Sequence, residues 1–149
     1  MTIQKIITEP NKILRQVSKN VEQVGKEEQK LMDDMLETMY QANGIGLAAI
    51  QIGVPKRILV MDISKNEEKK NPMYFINPII KNKNSALSTY EEGCLSVPNY
   101  FAEIARPKIC EVEYLDYYGQ KKNLIAEELL ATCIQHEMDH LEGILFIDY

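Results

Sequence analysis

The sequence has 149 residues and a formal net charge of −5 at pH 7, with 45% hydrophobic and 26% charged residues. This length supports one domain with its own core, so we expect residues 1–149 to form a single domain, and the composition excludes a disordered or fibrous chain. No run approaches the ~20 apolar residues that cross a bilayer, and the first residues lack a signal-peptide core, so we expect no membrane association. The acidic balance gives no general attraction to phosphate backbones, and direct nucleic-acid binding is not predicted. The three cysteines are odd in number and lack a C-x-x-C spacing, which favours reduced thiols and a cytoplasmic location.

The first predicted element is a helix over residues 26–42, where apolar side chains recur at helical spacing and line one face. Asn43 and Gly44 follow directly and suit a left-handed C-terminal cap. Short runs rich in β-branched and aromatic residues then predict strands, which we expect to pair antiparallel. These strands cover residues 57–63, 74–80 and 109–118, with a surface loop over 66–71 and a turn over 118–121.

The last long pattern predicts a helix over residues 126–141 that ends before Gly143. Its apolar residues form a broad stripe, so we expect this helix to be buried. The fold class that follows is α+β, with antiparallel or mixed β-sheets packed around this C-terminal helix.

Residues 136–140 on this helix read His-Glu-Met-Asp-His. Positions i and i+4 of a helix are separated by about 40° and about 6 Å of rise, so His136 and His140 can hold one metal ion. Glu137 lies close enough to act as a general base on a water bound to that ion. The alternative is a solvated helix end with two chance histidines, which the motif disfavours.

A catalytic ion of this kind usually takes three protein ligands and keeps one position open. Phe146 stands where one peptidase class has its third histidine, and only 149 − 140 = 9 residues follow His140, too few for a further helix that supplies a glutamate. Cys133 lies about 7.5 Å along the helix from the midpoint of the two histidines, so we expect it in the core. Cys94, in a loop or at a strand edge, is the favoured third ligand, and a buried structural thiol is the alternative.

Three stretches resemble, in order, the signature motifs of the peptide deformylases, metalloenzymes that remove the N-formyl group from new polypeptides. They are GIGLAAIQ at 44–51, EGCLS at 92–96 and QHEMDHLEG at 135–143. The resemblance spans nearly the whole chain, and three motifs together are far more specific than any one of them.

The resemblance implies one divalent metal ion, Fe²⁺ in cells, with Zn²⁺ or Ni²⁺ as replacements in the isolated protein. The implied metal ligands are Cys94, His136 and His140. Glu137 would be the general base and acid, whereas the side chain of Gln51 and the backbone N–H of Leu95 would stabilise an oxyanion.

The substrates implied by the resemblance are N-formylmethionyl peptides. The residues implied to bind the peptide and its methionine side chain are Ile45, Gly46, Leu129, Thr132 and Cys133. Many family members place an arginine near the substrate entrance where this chain has Phe101, so we expect a different rim, with Arg106 retained nearby. The resemblance links ribosome docking to a helix beyond the last residue of this sequence, which leaves ribosome contact open.

Two other functions are compatible with parts of this pattern. The His-Glu-Met-Asp-His motif alone would suit a zinc peptidase, although the downstream third ligand of such enzymes is missing. A binding protein with a structural ion would need a fourth protein ligand, whereas an exchangeable water indicates catalysis.

Overall fold

The computed structural model describes residues 3–64 and 69–149. The helices in this part of the chain are α1 (Lys26–Gln41) and α2 (Glu128–Leu141). The strands are β1 (Gly46–Ala48), β2 (Ile58–Met61), β3 (Met73–Lys83), β4 (Leu87–Cys94), β5 (Val97–Pro107), β6 (Ile109–Leu115) and β7 (Lys121–Glu127). Short 3-10 turns cover Lys12–Arg15, Ala49–Ile52 and Phe146–Asp148.

The strands form two antiparallel sheets. A five-stranded sheet has the order β1-β2-β3-β6-β7, and β4 and β5 form a separate two-stranded sheet. Helix α2 contacts strands of both sheets, so it lies between them. The predicted α+β class with antiparallel sheets packed around the C-terminal helix is therefore confirmed.

Strand β2 shows why the larger sheet can carry a helix on each face. Leu59 belongs to the hydrophobic cluster that includes Ile134 of α2, whereas Val60 belongs to the cluster that includes Met35 of α1. Successive side chains of a strand point to opposite faces, so the continuous apolar run of β2 is buried on both sides. Each fully buried side chain of this kind stabilises the fold by roughly 1.5–3 kcal/mol, which fixes α2 firmly against the sheet.

The C-terminal caps of both helices agree with the sequence analysis. Helix α1 ends at Gln41, and Asn43 adopts the left-handed conformation with φ of 60°. Gly143 has φ of 75° directly after α2, and a Cβ atom there would lie 2.4 Å from the backbone oxygen of Arg15. Glycine is therefore required at this position both by the backbone conformation and by the close approach of the N-terminal segment.

Other predicted bounds need correction. Helix α2 begins at Glu128 rather than at residue 126, because the two preceding residues complete strand β7. Strands β1, β4, β5 and β7 were not predicted from the sequence. Part of the predicted loop over 66–71 lies outside the described residues. None of the helices in the described ranges is both long and apolar enough to span a membrane.

Candidate metal centre and active site

Helix α2 places two imidazole rings side by side beneath the smaller sheet. The ring centroids of His136 and His140 are 5.3 Å apart, one helical turn from each other, and both side chains are buried. Burial and the charge of His136 lower the pKa of His140 to about 3, so the ring of His140 is neutral and can offer a lone pair to a metal.

Strand β4 brings a thiol to the same point. Cys94 ends this strand after a register shift between Gly93 and Cys94, and its Sγ lies 3.4 Å from Nε2 of His140. Such irregularities redirect a side chain at the end of a strand. The candidate ligand atoms of Cys94, His136 and His140 all lie within 4.8 Å of one another. The thiol predicted from the sequence as the third ligand therefore lies close enough to both histidines to share an ion with them.

The chemistry of these donors fits a divalent transition metal. One thiol and two imidazoles suit zinc, iron or nickel, and three protein ligands leave a coordination position free. Burial alone would lower the pKa of His136, but its hydrogen bond with Cys94, the charge of Glu137 and its hydrogen bond with Glu92 raise it to about 10. The same negative surroundings favour a bound metal cation in place of that proton.

A buried carboxylate orients the first histidine. Glu92 Oε1 lies 2.9 Å from Nδ1 of His136, which leaves Nε2 of that ring for the metal. Arg106 donates to both oxygens of Glu92, from Nε at 2.7 Å and from Nη2 at 2.9 Å. Burial alone would raise the pKa of Glu92, but the hydrogen bonds from His136 and Arg106 and the charge of Arg106 lower it, so the carboxylate stays ionised.

This arrangement corrects one sequence-based expectation. Arg106 does not lie at the substrate entrance. Its side chain is only 3% exposed and is paired with Glu92 and Asp139. Phe101, by contrast, does lie at the rim of the cleft, and its side chain is exposed.

Glu137 faces the same centre from the next position of α2. Its Oε1 has no hydrogen-bond partner among the described residues and lies 4.0 Å from Nε2 of His140. Burial raises the pKa of the Glu137 carboxyl to about 7, although the charge of His136 opposes the rise. A carboxyl group with a pKa near neutrality can both accept and return a proton, which is what general acid–base catalysis requires.

Gln51 presents an amide beside the thiol. Its Oε1 accepts from the backbone N–H of Ala48 at 2.9 Å, so its Nε2 must face Ser96 Oγ at 3.0 Å and Cys94 Sγ at 3.6 Å. The side chain is buried and held at both ends. It therefore offers a fixed, uncharged hydrogen-bond donor next to the candidate metal centre.

These groups open into a cleft of about 420 Å³. Its lining includes Gly46, Gln51, Cys94, Leu95, His136 and Glu137. A smaller adjoining cavity of about 90 Å³ is lined by Ile45, Leu129, Thr132 and Cys133 together with residues of the main site. The structure thus brings together every site residue that the sequence analysis named.

The chain matches the sequence model of the polypeptide deformylase family over residues 3–149. The chain belongs to this family. A peptide deformylase of Pelagibacter ubique is 73% identical over the whole chain, which covers 87% of that protein. The crystal structure of an Ehrlichia chaffeensis deformylase in complex with actinonin has 46% identity and a TM-score of 0.94, with 100% of this chain and 89% of that chain covered. The Met-Ala-Ser-bound deformylase of Acinetobacter baumannii has 30% identity and a TM-score of 0.93, with 99% and 98% covered.

Membership confirms the resemblance seen in the three motifs. Deformylases are metal-dependent hydrolases of protein biosynthesis that remove N-formyl groups from nascent chains, and this chain has a cluster of Cys94, His136 and His140 that could hold a metal ion. Family membership favours this function over the zinc-peptidase and structural-ion alternatives.

The sequence analysis missed two residues of the deformylase site. Glu92 was recognised only as part of the second motif. Ser96 was not assigned a role, although Ser96 is fully buried and accepts a hydrogen bond from Gln51. The adjacent acidic pair Glu91-Glu92 before Gly-Cys was the available signal, since a metal-binding histidine commonly has a carboxylate partner.

Proposed function

We propose that Glu137 of this chain drives the hydrolysis of the formamide at the N-terminus of formylmethionyl polypeptides. The observation that carries the proposal is the position of the Glu137 carboxylate, buried and unpaired at Oε1, beside the cluster of Cys94, His136 and His140. Water adds to the formyl carbon, the carbon–nitrogen bond breaks, and formate and a free amine leave.

The three clustered residues would hold one divalent ion, which when bound polarises a carbonyl and makes a water molecule more acidic. We propose Fe²⁺ as the ion in cells, with Zn²⁺ or Ni²⁺ replacing it in isolated protein, because thiolate and imidazole donors accept all three. The three free cysteines fit a reducing compartment, and we propose that the protein acts in the cytoplasm.

Different groups of the protein carry out proton transfer and charge stabilisation. Glu137 takes a proton from the attacking water and returns it to the amine nitrogen as that group leaves. Gln51 Nε2 donates to the formyl oxygen, and the backbone N–H of Leu95 donates to the same atom. Because Gln51 is already fixed by Ala48 and Ser96, little reorganisation is needed when negative charge develops.

The small cavity beside the cleft would take the methionine side chain. Its lining by Ile45, Leu129, Thr132 and Cys133 is largely apolar, and the main cleft continues past Gly46 for the rest of the peptide. The Acinetobacter baumannii relative is described with Met-Ala-Ser bound, and this tripeptide is what deformylation of formyl-Met-Ala-Ser would produce. This supports formylmethionyl peptides as substrates here.

The test is anaerobic incubation of protein loaded with Fe²⁺, Zn²⁺ or Ni²⁺ with formyl-Met-Ala-Ser, and separately with unformylated Met-Ala-Ser. We expect stoichiometric formate and Met-Ala-Ser from the first peptide and no change in the second. Cleavage of a peptide bond without formate would indicate a peptidase instead. An ion that does not exchange, together with no hydrolysis, would indicate a structural site.

A further inference from the structure

The side of Arg106 remote from Glu92 is covered by a tyrosine. The Tyr149 hydroxyl donates to Oδ2 of Asp139 at 2.6 Å and accepts from Nη1 of Arg106 at 3.1 Å. The guanidinium carbon of Arg106 lies 4.7 Å from the centre of the Tyr149 ring. Tyr149 therefore contacts Arg106 both through its hydroxyl group and through its ring face.

We propose that Tyr149 is a positioning residue, which holds Arg106 so that Arg106 and Glu92 fix the ring of His136 for metal binding. The inference rests on the proposed function, because it assigns the role of a residue that supports the same metal site. Among the hydrogen bonds and ring contacts of the described residues, none joins Tyr149 to a candidate metal ligand.

The guanidinium group is the rigid link in this chain of contacts. Nε and Nη2 of Arg106 donate to Glu92, whereas Nη1 donates to Asp139 at 2.8 Å and to Tyr149. The group is planar, so a rotation that weakens the contacts on one edge also moves the donors on the other. Burial of Arg106 leaves little water to replace a lost partner.

Glu92 passes this constraint to the histidine. Its Oε1 accepts from Arg106 and is also the partner of His136 Nδ1, both at 2.9 Å. A shift of the guanidinium would therefore move the carboxylate oxygen that lies against Nδ1 of His136. Carboxylate partners of metal-binding histidines typically change metal affinity or activity by about 10–100-fold when mutated.

The 3-10 turn Phe146–Asp148 places Tyr149 and also reaches the metal site directly. Asp148 is held by two hydrogen bonds from Arg15, at 2.6 Å and 3.1 Å. Phe146 is buried, and its ring centre lies 5.8 Å from that of His136. Phe146 of this short turn thus packs against the ring of His136, and the residue that follows the turn, Tyr149, places its hydroxyl group against Arg106.

The experiment compares Tyr149→Phe with the intact protein, because this change removes the hydroxyl and keeps the ring over the guanidinium. The apparent Kd for Zn²⁺ is measured by competition with a chromophoric chelator, and kcat and KM are measured on formyl-Met-Ala-Ser. We expect Zn²⁺ affinity to fall roughly 3- to 10-fold, below the range for direct partners of a ligand, and kcat to fall with little change in KM. Tyr118→Phe, at an exposed tyrosine remote from the site, should leave all three values unchanged.

A double-mutant cycle with Glu92→Gln identifies the route. If Tyr149 acts through Glu92, the Tyr149→Phe effect on Zn²⁺ affinity should largely disappear in the Glu92→Gln background. Effects that add fully in the double variant would overturn the proposal. So would a single Tyr149→Phe variant with lowered Tm but unchanged Zn²⁺ affinity and kcat, because that result indicates a purely structural role. Failure of the intact protein to release formate would refute the proposed function, while the Zn²⁺ affinities would still decide the role of Tyr149.

Discussion

A Cβ atom on Gly46 would lie 2.6 Å from Oε2 of Glu137 and 3.1 Å from Sγ of Cys133. Strand β1 can run this close to helix α2 only because the residue has no side chain. The backbone of the first motif thus forms a wall against the carboxylate that we propose as the catalytic acid and base. The other oxygen of this carboxylate, Oε1, lies 4.0 Å from Nε2 of His140, one of the candidate metal ligands.

Gly46→Ala should displace the Glu137 carboxylate, because the added methyl group overlaps one of its oxygens. A misplacement of about 1 Å in a reacting group can cost on the order of 10²-fold in rate, so we expect a loss of roughly 10- to 100-fold in kcat. The measurement is formate release from formyl-Met-Ala-Ser, with bound metal determined in the same samples. Metal content should stay near that of the unchanged protein, because the three atoms nearest to such a Cβ belong to Glu137 and Cys133 and not to the candidate ligands.

The matched control for this change is Gly25→Ala. A Cβ atom there would lie 3.6 Å from its nearest neighbour, Oε1 of Glu28, which is an ordinary contact. Gly25 caps the N-terminus of α1, so the change can cost up to about 1 kcal/mol of stability without altering kcat. Equal kcat in the two variants would show that the contact between Gly46 and Glu137 is unimportant.

Glu137→Gln should retain the metal and lose at least roughly 10²-fold in kcat, the usual scale for a general acid–base group. Glutamine has nearly the same shape but cannot take up the proton of the attacking water. Glu142→Gln is the control, since Glu142 is half-exposed just beyond α2 and pairs with Arg57. Turnover by Glu137→Gln within a few-fold of the intact protein would remove Glu137 from its proposed role.

The helix that carries the candidate metal site was predictable, whereas the sheet beside it was only partly so. His136 and His140 follow from local spacing on one helix, which tertiary structure rarely alters. Strand β7 begins with Lys121, Lys122 and Asn123, all exposed at the sheet edge, so it lacks the apolar alternation by which strands are recognised. Its last residues were therefore assigned to the following helix.

Residues that meet across the fold were harder to foresee. Cys94 was favoured as the third ligand because the other candidates were set aside, but its approach to His140, 46 positions away, depends on the path of β4 beside α2. The position of Arg106 could not be predicted, because nothing in its neighbourhood shows that the charge turns inward. It is buried because Glu92 and Asp139, from two other elements, supply its counter-charges.

Cys94→Ala should abolish stable metal binding, because the thiolate is the only anionic donor among the three clustered ligands. We expect the loss of affinity to exceed the 10–100-fold typical of outer partners of a metal ligand. Metal content after anaerobic dialysis is the measurement. Cys110→Ala is the control, since Cys110 is buried in the core cluster and should affect stability alone. Retention of stoichiometric metal by Cys94→Ala would exclude the thiol as a ligand.

Phe101→Ala should change substrate preference more than turnover. The Phe101 ring covers Gly93, where a Cβ atom would lie 2.6 Å from it, yet Phe101 as a whole remains 63% exposed at the rim of the cleft. An apolar side chain of the substrate that follows the methionine can bury part of this ring, and a contact of about 40 Å² is worth about 1 kcal/mol, or roughly 5-fold in binding. We therefore expect KM to rise about 5-fold for formyl-Met-Leu-Phe, with kcat nearly constant and little change in either value for formyl-Met-Gly-Gly. An equal rise in KM for both peptides would show that Phe101 supports the cleft without contacting these side chains.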